Sequence, residues 1–198
     1  MLFRLSEQSE KDTMPRIPYP DPATFPPKLR EFQARIDPNV NVFRMLPWAE
    51  SVVEHWHRLG NALLQKSRLD PVLREMAIVR VGHLCRAAYE VYQHERISAR
   101  IGMPAEKIAA LKEGPDAPVF DELERLVLRF TDEVVKNVKA SDATFDALAA
   151  RLSNRELCEL VLTIGYYQMT CAFLENFEIP IEAPGLVGDP FRKREPAG

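Results

Sequence analysis

Cysteine is scarce in this chain and scattered where it occurs. Cys85, Cys158 and Cys171 are the full set, with no Cys-x-x-Cys pair among them. An odd, widely spaced set argues against a disulfide framework and against a zinc site, and predicts a reducing, cytoplasmic setting. Glycine is sparse too: eight residues, none gathered into a phosphate-cradling loop. No apolar run approaches the roughly 18 residues that a membrane-spanning helix needs. The N-terminal MLFRLSEQSEKDTMP turns polar too soon for a signal peptide. Nor does one sign of charge prevail: 26 Lys and Arg face 29 Asp and Glu, for a net charge of −3. A nucleic acid is therefore not an expected partner, and neither is a membrane. Alternating strand patterns and internal repeats are missing as well. What remains is an all-α chain.

Proline, by contrast, is plentiful at one end. Pro15, Pro18, Pro20, Pro22, Pro26 and Pro27 forbid long regular structure, so residues 1–47 read as an arm holding one short helix over Lys28–Ile36. Ile17, Tyr19, Phe25 and Phe32 on that arm lack local cover, and a neighbouring subunit is the expected cover, giving a homo-oligomer. Residues 48–185 read as an all-helical domain and 186–198 as a mobile tail. In Trp48–Lys66 the stripe Val52, Trp56, Leu59 and Leu63 marks the inner face, widened by Val53, Gly60 and Leu64. His55 and His57 are two apart and diverge, so they make no metal pair. Leu123, Val127, Phe130 and Val134 stripe the next long helix, and Phe145, Leu148, Ala149 and Leu152 a shorter one. Ser153 and Glu156 have capping-box spacing. They open a long helix through Leu157, Leu160, Val161, Ile164, Met169 and Phe173, with Cys158 and Cys171 as small core residues.

The stretch Asp70–Gly102 carries the candidate chemistry. Asp70 caps a helix whose first residue is Pro71. Apolar residues then fall on almost every side, yet Arg74, Glu75, Arg80 and His83 interrupt them. The segment is too long and varied for one straight helix, and a break is expected between Gly82 and Ala87. Beyond it Glu90, His94, Ile97 and Ile101 share one face. Burying that face brings a carboxylate and an imidazole inward, where pKa values move. A solvated ion pair beside a small apolar seam is the alternative.

REMAIVRVGHLCRAAYEVYQHERISARIGM resembles the carboxymuconolactone decarboxylase/alkylhydroperoxidase D superfamily. Its peroxidase branch carries a glutamate, then a Cys-x-x-Cys, then a histidine. Counting back from His94 puts those positions at Glu75, Ala87 and Glu90, so the glutamate and histidine match and both cysteines do not. Tyr89-Glu90 before His94, and GYYQM at Gly165–Met169, resemble a cysteine-free branch. The resemblance runs from about Phe43 to Pro180 and implies an alkylhydroperoxidase D-like helical bundle that forms rings of subunits.

The missing thiols bear on the chemistry. A peroxidatic mechanism needs a low-pKa thiolate and a resolving thiol, and Glu90 supplies neither. Cys85 has no second cysteine near it in sequence. What the resemblance leaves is Glu75, Glu90, His94 and Tyr89, an acid–base set without a nucleophile. Such a set suits decarboxylation or isomerisation of a small carboxylated or carbonyl compound, with His94 as proton donor and Arg74, Arg80 or Arg86 holding a substrate carboxylate. No cofactor and no metal are expected. The alternative is a non-enzymatic oligomeric module in which the cluster only ties helices together.

Overall fold

The computed structural model describes residues 14–183, so the tail expected at 186–198 lies outside the described residues. Among the described residues there are nine α-helices, two short 3₁₀ turns and no strand. The helices are α1 (Pro27–Gln33), α2 (Asn41–Met45), α3 (Glu50–Gln65), α4 (Pro71–Cys85), α5 (Ala88–Arg100), α6 (Ala105–Ala110), α7 (Glu122–Asn137), α8 (Asp142–Ala149) and α9 (Asn154–Phe177). They divide between two compact units, one of residues up to 57 together with those from 177 onward, the other of residues 58–176.

The first unit shows what covers the arm. Phe25 and Leu29 are buried within it, and Arg44 lies 3.9 Å above the Tyr19 ring. Trp48 Nε1 donates to the Pro18 carbonyl at 2.9 Å, and Phe32 and Phe43 set their ring edges against His57. Glu182 accepts from the Asn41 N–H at 2.7 Å, and Arg16 pairs with Glu178 at 2.6 Å. Within this one chain Phe25 is buried, while Ile17, Tyr19 and Phe32 are partly covered. The prolines stop the arm from forming long helices but not from packing.

In the second unit α4 is the central element, packed on α5 and α7, with α7 in turn against α8. Asp70 Oδ1 accepts from the Val72 N–H at 2.8 Å, and every residue from Leu73 to Gly82 is buried. The expected break falls at Arg86, whose φ of 58° is left-handed. Its neighbour Ala87 donates back to the Gly82 carbonyl at 2.9 Å, closing the helix end as a glycine would, at a cost of about 1–2 kcal/mol for the side chain. The box opening α9 is present, with Ser153 N to Glu156 Oε2 at 2.8 Å and Glu156 N to Ser153 Oγ at 3.3 Å.

Several side chains sit on the other face from the one expected. On α3 Val53, Gly60 and Leu63 are buried as expected, while Val52 and Leu59, expected inside with them, face water. Gly60 decides this, because a Cβ there would stand 2.3 Å from the Tyr166 hydroxyl. Close approach to a partner, not the density of apolar residues, selected the stripe. Gly60→Ala should therefore destabilise the fold by about 1–3 kcal/mol, the usual penalty of overpacking, as a lowered urea midpoint. Phe145 and Ala149 on α8 and Val161, Met169 and Cys158 on α9 are likewise exposed, and Ile101 lies past the end of α5, partly exposed.

Candidate active site

Three helices of the second unit converge on one imidazole. Glu75 comes from the buried middle of α4, Glu90 and His94 stand one turn apart on α5, and Tyr167 comes from α9. His94 Nδ1 lies 2.6 Å from Glu75 Oε2, and His94 Nε2 lies 3.1 Å from Glu90 Oε1. Glu75 is 0% exposed, Glu90 3% and His94 6%. The Tyr167 ring meets the imidazole edge-on, centroids 4.8 Å apart. The two contacts of the imidazole differ in quality. Glu75 makes a short hydrogen bond. Glu90 Oε1 is near but out of line, and is buried with no hydrogen-bond partner.

Burial alone would drive the His94 pKa down, but the charges of Glu75 and Glu90 outweigh it and push it up to about 10. His94 is thus an imidazolium at neutral pH. Arg74 stands against Glu75 with Nη2 3.3 Å from Oε1. Two carboxylates, one imidazolium and one guanidinium sum to zero, which lets the group be buried without a net charge. Burial, with Glu90 and Glu75 beside it, raises the Tyr167 pKa well above the ordinary phenol range, so it stays a neutral wall.

The other expected residues part ways. Tyr89 is buried on α5, yet the aromatic against His94 is Tyr167, from the GYYQM segment. Arg80 is turned inward: Nε and Nη2 hold Asp132 at 2.6 and 2.8 Å, and Nη1 donates to the carbonyls of Leu111 and Lys112 at 3.0 and 2.9 Å. Gly114 makes room for this fork, with φ at 100° and a would-be Cβ only 2.7 Å from Nη2. Arg80 therefore ties α4 to α7 and has little left for a substrate carboxylate. Of the three arginines, Arg86 is the exposed one, and it lines a cleft of about 380 Å³ with Gly82, His83, Ala88, Val91, Tyr92 and Glu95. In that cleft His83 Nε2 lies 3.9 Å from Glu95 Oε1; burial pushes the His83 pKa down and that of Glu95 up. The cleft adjoins the buried cluster: a Cβ on Gly82 would stand 3.6 Å from the Glu90 Cβ.

The fold also joins two cysteines that sequence leaves apart. The interaction with Cys171 of α9 lowers the pKa of Cys85, at the end of α4, to about 7, and the same interaction together with burial raises that of Cys171. Among the described residues, no group of three or more His, Cys, Asp or Glu side chains is arranged to hold a metal ion.

Fold and site together define a helical protein with a glutamate–histidine centre on the scaffold of the alkylhydroperoxidase D-like proteins. Residues 50–133 match the model of the carboxymuconolactone decarboxylase family. It is 28% identical over 131 residues to the uncharacterized protein YnjA of Escherichia coli (strain K12), covering 65% of this chain and 70% of that one. Among solved structures it is similar in fold to an alkylhydroperoxidase AhpD core, an uncharacterized peroxidase-related protein from Ralstonia eutropha JMP134. That likeness has a TM-score of 0.74 at 18% identity, over 87% of this chain and 94% of that chain. The debrominase Bmp8 shares the fold with a TM-score of 0.68 at 17% identity, over 79% of this chain and 87% of its own.

Proposed function

We propose that this protein is a cofactor-free acid–base enzyme that decarboxylates or isomerises a small carboxylated or carbonyl compound. The observation that carries the reading is the His94 imidazolium held between Glu75 and Glu90, with one Glu90 oxygen buried and unsatisfied. That oxygen stands 3.1 Å from His94 Nε2 without a hydrogen bond, which leaves a lone pair for a proton acceptor to use. The substrate seats in the cleft, its carboxylate against Arg86 and its apolar body along Val91 and Tyr92. Loss of carbon dioxide, or removal of a proton beside a carbonyl, leaves a carbanion or enolate far more basic than imidazole. A proton from His94, passed by way of Glu90 behind Gly82 of the cleft, quenches it, and Glu75 holds the ring in register throughout.

Two further parts belong to the proposal. Cys158, Leu162, Gly165, Met169 and Ala172 are all exposed on α9 and follow alternate steps of four and three, the spacing of a helix–helix seam. A second copy of the chain suits that seam, making the working form a homo-oligomer. The reading also keeps the protein in the cytoplasm. A second reading, a non-enzymatic assembly module, draws on the depth at which His94 is buried.

The two separate in one assay. Small keto acids and unsaturated carboxylic acids are incubated with the protein in deuterated water, and carbon dioxide release and deuterium uptake are followed. His94→Gln and Glu90→Gln should cut turnover roughly 100- to 10,000-fold, the range of a lost general acid–base group, while Arg86→Met raises KM. Turnover that survives His94→Gln unchanged would sink the acid–base reading.

A further inference from the structure

We propose that the cleft between the end of α4 and α5 takes a flat hydroxyaryl acid, its hydroxyl seated between His83 and Glu95 and its carboxylate on Arg86. The proposal rests on the reading of this cleft as the substrate seat and adds the group that selects the ligand. Gly82 and His83 of α4 and the following Arg86 line one side; Val91, Tyr92 and Glu95 of α5 line the other. Ala88, Val91, Tyr92 and Glu95 share one face of α5, and from Ala88 to Glu95 the helix rises about 10 Å. Arg86 lies two residues before Ala88, at the near end of that stripe, and Glu95 marks the far end. Between them Gly82 meets Val91, where an added Cβ would stand 2.9 Å from Val91 Cγ2. Two polar ends are thus parted by an apolar middle.

The far end is where the cleft is unsatisfied. His83 Nε2 is buried with no hydrogen-bond partner. Glu95 Oε1 stands 3.9 Å from it, beyond hydrogen-bond reach yet close enough for one oxygen to touch both. The Glu95 side chain is 39% exposed, so it can turn aside and let that oxygen reach Nε2. Burial and the charges of Arg80 and Lys112 push the His83 pKa down, so its ring is neutral at pH 7 and forms no ion pair with Glu95. A hydroxyl donates and accepts at a single atom, and so serves an imidazole and a carboxyl group together. A carbonyl oxygen only accepts, and a C–H does neither.

The rest of the cleft suits the rest of such a ligand. Arg96 Cζ lies 5.4 Å from the centre of the Tyr92 ring, which steadies that wall for an aryl ring to lie along. Arg86 is exposed, and its planar fork can hold a carboxylate with two parallel hydrogen bonds. Selectivity then lies at the His83 end. An acid without the hydroxyl keeps its grip on Arg86 and its apolar contacts but leaves Nε2 unpaired, and a buried group left unpaired is what separates two otherwise equal ligands.

The test measures binding of 4-hydroxycinnamate, cinnamate and 4-methoxycinnamate to the full chain by calorimetry at pH 7. The hydroxy acid should bind roughly ten-fold more tightly than the other two, the effect of about one hydrogen bond to a group otherwise unpaired. His83→Phe should abolish that preference and leave cinnamate affinity within about two-fold, while Arg86→Met weakens all three acids alike. In NMR the His83 ring signals should shift with 4-hydroxycinnamate and stay in place with cinnamate. Equal affinity for the three acids, no binding of any at millimolar concentration, or a preference that survives His83→Phe would overturn the proposal. The ligand series on the parent chain depends on no variant, and urea unfolding checks that each variant used is folded. Turnover is read separately. Hydroxyl-selective binding by a protein that turns over no acid upholds this proposal against the acid–base reading, and turnover with no hydroxyl preference does the reverse.

Discussion

Glu75→Ala should lower the stability of this protein by about 3–5 kcal/mol, the range for breaking a buried ion pair by removing one partner. Glu75 is 0% exposed and accepts the short bond from His94 while Arg74 leans on its other oxygen. Taking the carboxylate away leaves an imidazolium and a guanidinium buried with Glu90 alone between them. The protein then either deprotonates His94 or admits water, and both lose free energy. Glu75→Gln keeps the volume and one acceptor and should cost less. Urea unfolding at neutral pH checks both, and an Ala variant as stable as the parent would contradict the charge-balanced picture.

A second large effect should appear in the dependence of stability on pH. His94 has a pKa near 10 in the folded chain, against an ordinary value of 6.5. Below 6.5 both folded and unfolded chains bind the proton, and its stabilisation is fully present. Above that value the unfolded chain releases the proton and the folded one keeps it, so stability falls with rising pH until it is lost near 10. The urea midpoint should decline through this window, and His94→Gln should flatten the decline. In NMR the His94 ring should show no titration through neutral pH; a ring that titrates near 6.5 would refute the assignment.

Local chemistry made much of this protein readable before any coordinates. Asp70-Pro71 and Ser153-x-x-Glu156 are helix starts written in neighbouring residues, and both form as expected. Glu75, Glu90 and His94 converge because helix spacing and the family motif each constrain them. Tyr167 was out of reach, since its place depends on where α9 crosses, and no short-range pattern encodes a crossing. On α3 Val53, Gly60 and Leu63 face inward as expected but Val52 and Leu59 do not, for a related reason: two apolar stripes compete there, and Gly60 matters only once Tyr166 is beside it. Arg80 carries the same lesson. Its charge suggested a ligand, while Asp132 and two carbonyls had already claimed it.

The zero sum of charges around His94 has a consequence for ionic strength. Mobile ions screen charges that water can reach, over about 10 Å at 0.1 M salt, and have little hold on a group sealed from solvent. Arg16 and Glu178, each more than half exposed, belong to the first kind, as do Lys139 and Asp142. Glu75, Glu90, His94 and Arg74 belong to the second and present no net field to the solution. Added salt should therefore strip the surface of its pairwise attractions and leave the proton on His94 where it is.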